Sequence, residues 1–157
     1  MQKPVIRDVT AEDVEHLIAH LRAGDAVEIE KSCPEMSVED AVRLSVRSAD
    51  VCYSVIYGGE LICICGAGLI NLRESRAVIW ALGTAAMERI PRAVVRYSRP
   101  VLGLLMDALP PGISGYNAVW DGHQDALKWL KWIGAQFVYS VFERDESFTV
   151  FQMEGGA

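Results

Sequence analysis

The sequence has little with which to hold a metal and nothing with which to span a bilayer. Three histidines and four cysteines are scattered over 157 residues. No Cys-x-x-Cys pair occurs, and Cys63 and Cys65 share one face of an apolar strand-like run. A zinc site needs more ligands beside them than this stretch supplies, so no metal is expected. The cysteines, Cys33 and Cys52 included, read as reduced buried thiols of a cytoplasmic protein. No apolar stretch approaches the ~20 residues of a membrane span. Met1–Asp8 carries Lys3, Arg7 and Asp8 and lacks the apolar segment of a signal peptide. Positive charge is also in deficit: 15 Lys and Arg stand against 21 Asp and Glu, a net charge of −6. That balance opposes capture of duplex nucleic acid by phosphate neutralisation. There are no internal repeats and no linker. No Ser or Cys nucleophile is paired with a base, and Gly66-Ala67-Gly68 is not followed by a helix, so it is no phosphate loop. Those glycines fit a strand whose backbone is closely approached.

What remains is a core-forming chain. Hydrophobic residues make up 51% and charged residues 23%, with mean hydropathy +0.17, the composition of one soluble domain over residues 1–157. The pattern predicts a strand at Val5–Val9, then a helix Ala11–Arg22 capped by Thr10 with Asp13 three residues on and stopped by Ala23-Gly24. A brief helical piece, Asp25–Lys31, follows, and Ser37 caps a helix at Val38–Arg47. Gly58-Gly59 joins strands Val51–Tyr57 and Glu60–Leu69 as a hairpin, because both turn residues tolerate positive φ. After a polar turn at Asn71–Ser75 come a strand at Ala77–Leu82 and a mostly helical segment, Ala85–Leu109. Pro91 and Pro100 interrupt that segment, and neither suits a helix interior, so its main helix is expected from about Arg99 to Leu109. A strand Tyr116–Trp120, a helix Gln124–Trp132 ended by Gly134, and strands Gln136–Phe142 and Phe148–Met153 close the chain. This order implies a mixed α+β sheet with helices on both faces.

Several residues could carry chemistry. His16 and His20, with Glu12 one turn back, line the side of the first helix away from Val14, Leu17, Ile18 and Leu21, which reads as a solvated face. His123 lies in Asp121-Gly122-His123-Gln124-Asp125, between a strand end and a helix start, where sites often form. Either His123 acts there or this segment simply caps the helix. Arg89, Arg92, Arg96 and Arg99 recur at helical spacing. They are either a solvated stripe or, with Ser98 at a helix N-terminus, a place for a phosphate group or an acidic partner. Trp80, Trp120, Trp129 and Trp132 are mainly core candidates, with Trp132 the one expected to reach the surface.

The order of elements resembles the GNAT (Gcn5-related N-acetyltransferase) fold over nearly the whole chain. Ala126–Ala135 resembles that superfamily's late helix ending in Gly-Phe. Trp80-Ala81-Leu82-Gly83-Thr84, then Tyr97-Ser98-Arg99-Pro100-Val101-Leu102, then Lys128-Trp129-Leu130-Lys131-Trp132-Ile133-Gly134, is similar to the GNAT-like internal virion or morphogenesis proteins of short-tailed phages and prophages. That resemblance implies a role in virion assembly with phage structural proteins as partners, in the host cytoplasm or in the particle, and with acetyl-CoA chemistry lost or residual. The superfamily's Arg/Gln-x-x-Gly-x-Gly/Ala loop has no glycines here, either in Arg96–Val101 or in Arg89–Val94. His123 stands where Asn is frequent, Leu130 where a general-acid Tyr is frequent, and Ala135 replaces the Phe of Gly-Phe. The second reading is an acyl-CoA-dependent N-acyltransferase acting on an amine. In that case Gly83 and Thr84 would border the strand splay that admits the pantetheine arm, Arg96, Ser98 and Arg99 would hold the pyrophosphate, and His123 or Tyr139 would serve as acid or base.

Overall fold

The computed structural model describes residues 2–71, 73 and 75–154. The elements in chain order are β1 (Val5–Asp8), α1 (Ala11–Ala19), α2 (Ala23–Ser32), α3 (Val38–Ser48), β2 (Val51–Tyr57), β3 (Glu60–Asn71) and β4 (Arg76–Gly83). A 3₁₀ turn (Ala85–Arg89) leads into α4 (Pro91–Asp107), β5 (Ser114–Trp120), α5 (Gln124–Ile133), β6 (Gln136–Glu143) and β7 (Glu146–Met153). The strands form a single seven-stranded sheet in the order β1-β2-β3-β4-β5-β7-β6. Every neighbouring pair is antiparallel except β4 and β5, which run parallel. The expected mixed, mostly antiparallel sheet with helices on both faces is what forms. Leu72 and Glu74 of the expected Asn71–Ser75 turn lie outside the described residues.

Local signals account for most boundaries. Thr10 and Asp13 close a reciprocal capping box: the Asp13 amide donates to Thr10 Oγ1 at 3.2 Å and the Thr10 amide to Asp13 Oδ2 at 3.0 Å. The same carboxylate receives Arg7 at 2.5 Å and the Ser54 hydroxyl at 2.7 Å, tying α1 to β1 and β2. The Arg7 guanidinium holds the Asp13 carboxyl well below the usual carboxylate range. Gly58 and Gly59 take φ of +64° and +76°, as a two-residue hairpin turn requires. A Cβ on Gly66 would stand 2.5 Å from Trp80 Cζ2, the close approach expected of the Gly66–Gly68 run.

Two boundaries depart from expectation. α1 ends at Ala19 because the next residues bond elsewhere. Leu21 bridges to Thr84, the Arg22 amide donates to the Gly83 carbonyl at 2.9 Å, and the Ala85 amide donates to the His20 carbonyl at 2.9 Å. Ala23 and Gly24 therefore begin α2 instead of stopping α1. The second departure is α4, which starts at Pro91 and runs unbroken through Pro100. Pro91 sits at the first position, where its fixed φ suits the helix and no amide is needed. Pro100 and Arg96, one turn back, are both exposed, so the carbonyl left without a donor can turn to water.

The sheet buries two cores. On one face Cys65, Ala77, Ile79 and Phe151 pack beneath Leu105 of α4, Leu109 just after it, and Leu130 and Ile133 of α5. On the other, Leu61 and Ile64 pack beneath Val14 and Leu17 of α1 and Val42 of α3. The feature that matters for function is the single parallel pairing. β4 and β5 pair only at Arg76↔Ser114, Ala77↔Gly115 and Val78↔Tyr116, while β5 stays paired with β7 from Gly115 to Trp120. Gly115 permits the contact at the base, since a Cβ there would lie 2.8 Å from Ile79 Cδ1. Just above, the Asn117 side chain wedges the strands apart: its Nδ2 donates to the Ile79 carbonyl at 2.8 Å and its Oδ1 accepts from the Ala118 amide at 2.7 Å. Beyond Asn117 the two strands diverge.

Candidate active site

A cavity of about 970 Å³ occupies this fork. Its lining runs from Val94, Ser98 and Trp129 of α4 and α5 to Asp25, Glu28 and Ile29 of α2. One edge of β4 faces it. The Ile79 carbonyl and both backbone polar groups of Gly83 point away from β3, as their bonds to Asn117, Asp25 and Arg22 establish. The two-residue period of a strand places the N–H and C=O of Ala81 on the same edge, toward the open fork.

Four polar side chains meet at the α2 side. Arg22, Asp25 and Glu28 follow each other at intervals of three, so they descend one face of α2 from its N-cap. Asp25 is the centre. Its Oδ1 accepts from His123 Nε2 at 2.9 Å and from Arg22 Nη2 at 2.9 Å, and its Oδ2 accepts from the Gly83 amide at 2.7 Å. Burial alone would raise the Asp25 carboxyl; the His123 and Arg22 bonds and the Gly83 amide outweigh it and leave it lowered. His123 is raised in turn, first through its bond to Asp25 and further through the charge of Glu28. Gly24 lets the imidazole approach, because a Cβ there would stand 2.9 Å from His123 Cε1.

Glu28 behaves differently. Its Oε2 is buried with no hydrogen-bond partner. Burial, reinforced by the neighbouring Asp25 charge, pushes its carboxyl up to about 7 against the opposing influence of His123, the Trp120 backbone and Arg22. Two adjacent carboxylates thus titrate far apart, one held ionised and one poised near neutrality, a separation that assigns them different work. Glu28 is held over the fork by a clasp at the far end of α2. Lys31 Nζ and Trp120 Nε1 both donate to Glu146, each at 2.7 Å, and the Lys31 ammonium lies 5.6 Å from the centre of the Trp120 ring.

The expected site residues divide. His123 is at the cleft, but it does not cap α5 with its side chain; it serves Asp25 instead. Gly83 ends β4 at the fork with both backbone polar groups engaged, and Thr84 is buried with its hydroxyl donated to the Leu61 carbonyl at 2.8 Å. Tyr139 lies on the edge strand β6, exposed and outside the cleft lining, so it does not meet His123. Ser98 and Arg99 are not at a helix N-terminus, because α4 begins at Pro91. Seven residues at about 1.5 Å each put Ser98 about 10 Å along the helix from its start. The Ser98 hydroxyl donates to the Val94 carbonyl and accepts from Trp129 Nε1 at 2.7 Å. Arg99 donates to the Trp132 carbonyl at 2.7 Å and lies 4.3 Å from the centre of the half-exposed Trp132 ring. Arg96 and Arg92 are exposed on α4, Arg96 beside the Tyr97 ring, and Arg89 pairs with Glu60 at 2.7 Å. Of the two loop registers, Arg89–Val94 is the one that spans the start of the helix. No side chain caps that start, and the first intrahelical bond there runs from the Val94 amide to the Ile90 carbonyl.

Other candidates recede. His16 and His20 stack at 4.2 Å on the exposed side of α1. Among the described residues no group of three or more His, Cys, Asp or Glu is arranged to hold a metal ion, and no helix is long and apolar enough to cross a membrane. Cys63 and Cys65 line the cleft, but burial drives both thiols up, Cys65 to about 12, so neither offers a thiolate near neutral pH. Asp25 and Glu28 escaped the sequence reading because α2 turns charge inward, whereas periodicity seeks an apolar stripe. The three-residue spacing of Arg22, Asp25 and Glu28 was the available signal.

The sequence matches no protein-family model and no curated protein. The fold, however, is shared with solved acetyltransferases. AAC(6')-Ib in complex with ribostamycin and coenzyme A superposes with a TM-score of 0.70 at 13% identity, over 97% of this chain and 93% of that one. Spermidine N-acetyltransferase from Vibrio cholerae, in complex with CoA and spermine, gives 0.69 at 13% identity over 97% and 95%. Ard1 from Thermoplasma volcanium gives 0.68 at 13% identity over 98% and 99%. The chain therefore has the GNAT fold that its order of elements resembled. None of these three is described as a phage protein, so the expected kinship with virion proteins finds no support among them.

Proposed function

We propose that this protein is an acyl-CoA-dependent N-acyltransferase whose general base is Glu28. The observation that carries the reading is the pair of carboxyls at the fork: a buried, ionised Asp25 locked to His123 and Arg22, beside a half-buried Glu28 whose carboxyl is pushed up to about 7 and whose Oε2 is buried without a partner. A base matched to neutral pH accepts the proton of an incoming amine most efficiently. The two solved structures above that contain CoA support an acyl-CoA partner for this fold. They favour this reading over a virion-assembly role.

The residues present fit such a partner. Ala81 turns its backbone N–H and C=O toward the fork, where an extended amide-bearing arm would add like a strand. The amides of Arg92 and Ala93 at the uncapped start of α4, with the exposed guanidiniums of Arg92 and Arg96, suit a pyrophosphate even without glycines. Bound acyl-CoA supplies a thioester carbonyl. Glu28 takes the ammonium proton, and Asp25 orients His123 and favours its protonated form. Burial keeps Cys63 and Cys65 as thiols, so the reading takes the acyl group directly to the amine and not through either of them.

Titration calorimetry with acetyl-CoA tests the reading, with micromolar saturable binding expected. Arg92→Ala should weaken binding more than Arg99→Ala, because Arg99 is committed to Trp132. Glu28→Gln should retain binding and lose about 100-fold or more in transfer rate, the usual worth of a positioned base. No binding at millimolar acetyl-CoA overturns the proposal.

A further inference from the structure

The α4 side of the cleft bears on the acyl donor, and the inference that follows rests on the acyltransferase reading. In α4 no residue before Leu105 is buried, although Val94, Ser98, Val101 and Leu102 all line the cleft. Opposite them the sheet offers small side chains. Val55 pairs with Cys63, Cys63 with Gly83, and Cys65 with Ala81, so these residues lie side by side on the α4 face. Ala81 is exposed although β4 is the middle strand of seven. The first turns of α4 thus stand over a gap with an apolar roof and a floor of small residues. Ser98 and Asn117, which also line the cleft, are already engaged, Ser98 with Val94 and Trp129, and Asn117 with Ile79 and Ala118. Burial keeps both thiols neutral. Water in such a gap would lack the roughly two to four polar partners it needs, whereas a hydrocarbon chain needs none.

We infer that the acyl donor carries an alkyl chain of medium length, about six to eight carbons, which lies in this gap beneath α4. The roof from Val94 to Val101 runs about 10 Å along the helix. An extended chain advances about 1.2 Å per bond, so about eight carbons fill that length. The whole cavity, about 970 Å³, stands at the upper end of the roughly 300–1,000 Å³ of small-molecule sites, far more than an acetyl group calls for. The two sides of the fork then divide the work: the amine meets Glu28 from the α2 side, and the chain turns away beneath α4. The ammonium gives one proton to the Glu28 carboxylate and its nitrogen bonds to the thioester carbonyl carbon. The carbon–sulfur bond breaks, and the departing sulfur takes the second nitrogen-bound proton, leaving amide, thiol and a proton on Glu28.

The test is a length series on the intact protein: calorimetry with free CoA and with acetyl-, hexanoyl-, octanoyl- and dodecanoyl-CoA, no amine present. A fully buried methylene is worth about 4-fold in affinity. With the chain only half withdrawn from water, octanoyl-CoA should still bind about 50-fold more tightly than acetyl-CoA, with a more negative heat-capacity change. Dodecanoyl-CoA should gain less than about 3-fold further, because the gap is then full. Val101→Phe, which fills the space under the roof, should cut the octanoyl advantage below about 5-fold and leave acetyl-CoA binding within about 3-fold. The series on the native protein decides alone if that variant does not fold. No gain over acetyl-CoA, a steady gain through dodecanoyl-CoA, or an octanoyl advantage undiminished in Val101→Phe overturns the inference and leaves the acyltransferase reading standing. No binding of CoA or of any acyl-CoA at millimolar concentration sinks both.

Discussion

Glu28→Gln should make the protein more stable, and by an amount that depends on pH. In the unfolded chain the Glu28 carboxyl titrates near its ordinary 4.5, and in the folded protein it titrates near 7. Between those values the unfolded chain has released a proton that the folded protein still holds. The contribution of Glu28 to stability is therefore fully present below 4.5 and is lost as pH rises through about 7. At about 1.4 kcal/mol per pH unit, the loss reaches about 3 kcal/mol at pH 8. Gln is nearly isosteric and never ionises, so it escapes that loss. The value near 7 already includes the attraction of His123, so the gain is reduced only by how imperfectly the amide replaces the carboxyl, which leaves about 1–3 kcal/mol in favour of the variant at pH 8. Urea denaturation of both proteins at pH 4.5 and pH 8 measures it. The difference should be small at the lower pH and should open steadily between pH 5 and pH 7. A variant less stable at pH 8, or a difference that does not change with pH, would refute the claim that burial strains this carboxylate. An acid kept where it costs stability is the expected mark of a group retained for chemistry.

Other perturbations follow from single contacts. Gly24→Ala places a Cβ 2.9 Å from His123 Cε1, so the imidazole should leave Asp25. Its pKa, read by NMR titration, should fall toward the ordinary 6.5, and transfer should slow about 10-fold or more. Gly66→Ala drives a methyl to 2.5 Å from the Trp80 ring and should cost about 1–3 kcal/mol in a denaturant titration. Asp13→Asn should lower stability at neutral pH by weakening the contacts to Arg7 and Ser54. The native carboxyl is depressed below 3.8, so its contribution is present above that pH and fades as pH falls through the folded value. The variant's stability should accordingly vary less with pH in that acid range.

Much of this fold was legible because its signals are local. Thr10 with Asp13, Ser37, Gly58-Gly59 and Gly134 each mark an end through their own backbone demands, and each end formed. Local rules fail where a distant partner outweighs them. Pro100 counts against a helix interior on propensity, yet α4 is carried past it by the burial of Leu105 and Met106 on one face while the proline stays outside. Ala23-Gly24 has the look of a stop, but the preceding residues are captured by Gly83 to Ala85, and the helix restarts. His123 was found from its loop between strand and helix. Its partner Asp25 was not, since 98 residues separate them and only the sheet order brings α2 over the fork. The pattern sets Ser98 and Arg99 at a helix start, whereas α4 begins at Pro91, seven and eight residues before them.

The brevity of the β4–β5 pairing has a consequence for how the protein is made. Three residue pairs hold β5 to β4, and six hold it to β7, the last strand of the chain. Glu146, which clamps both Lys31 and Trp120, also lies on that strand. During synthesis the first four strands and three helices can assemble while the C-terminal hairpin is still in the ribosome, but β5 then has too few partners to be fixed. The fork, and with it the apposition of α2 and His123, should be the last part of the molecule to take shape. A nascent chain halted before Glu146 would carry all four polar residues of the site and still lack the strand that holds them in place.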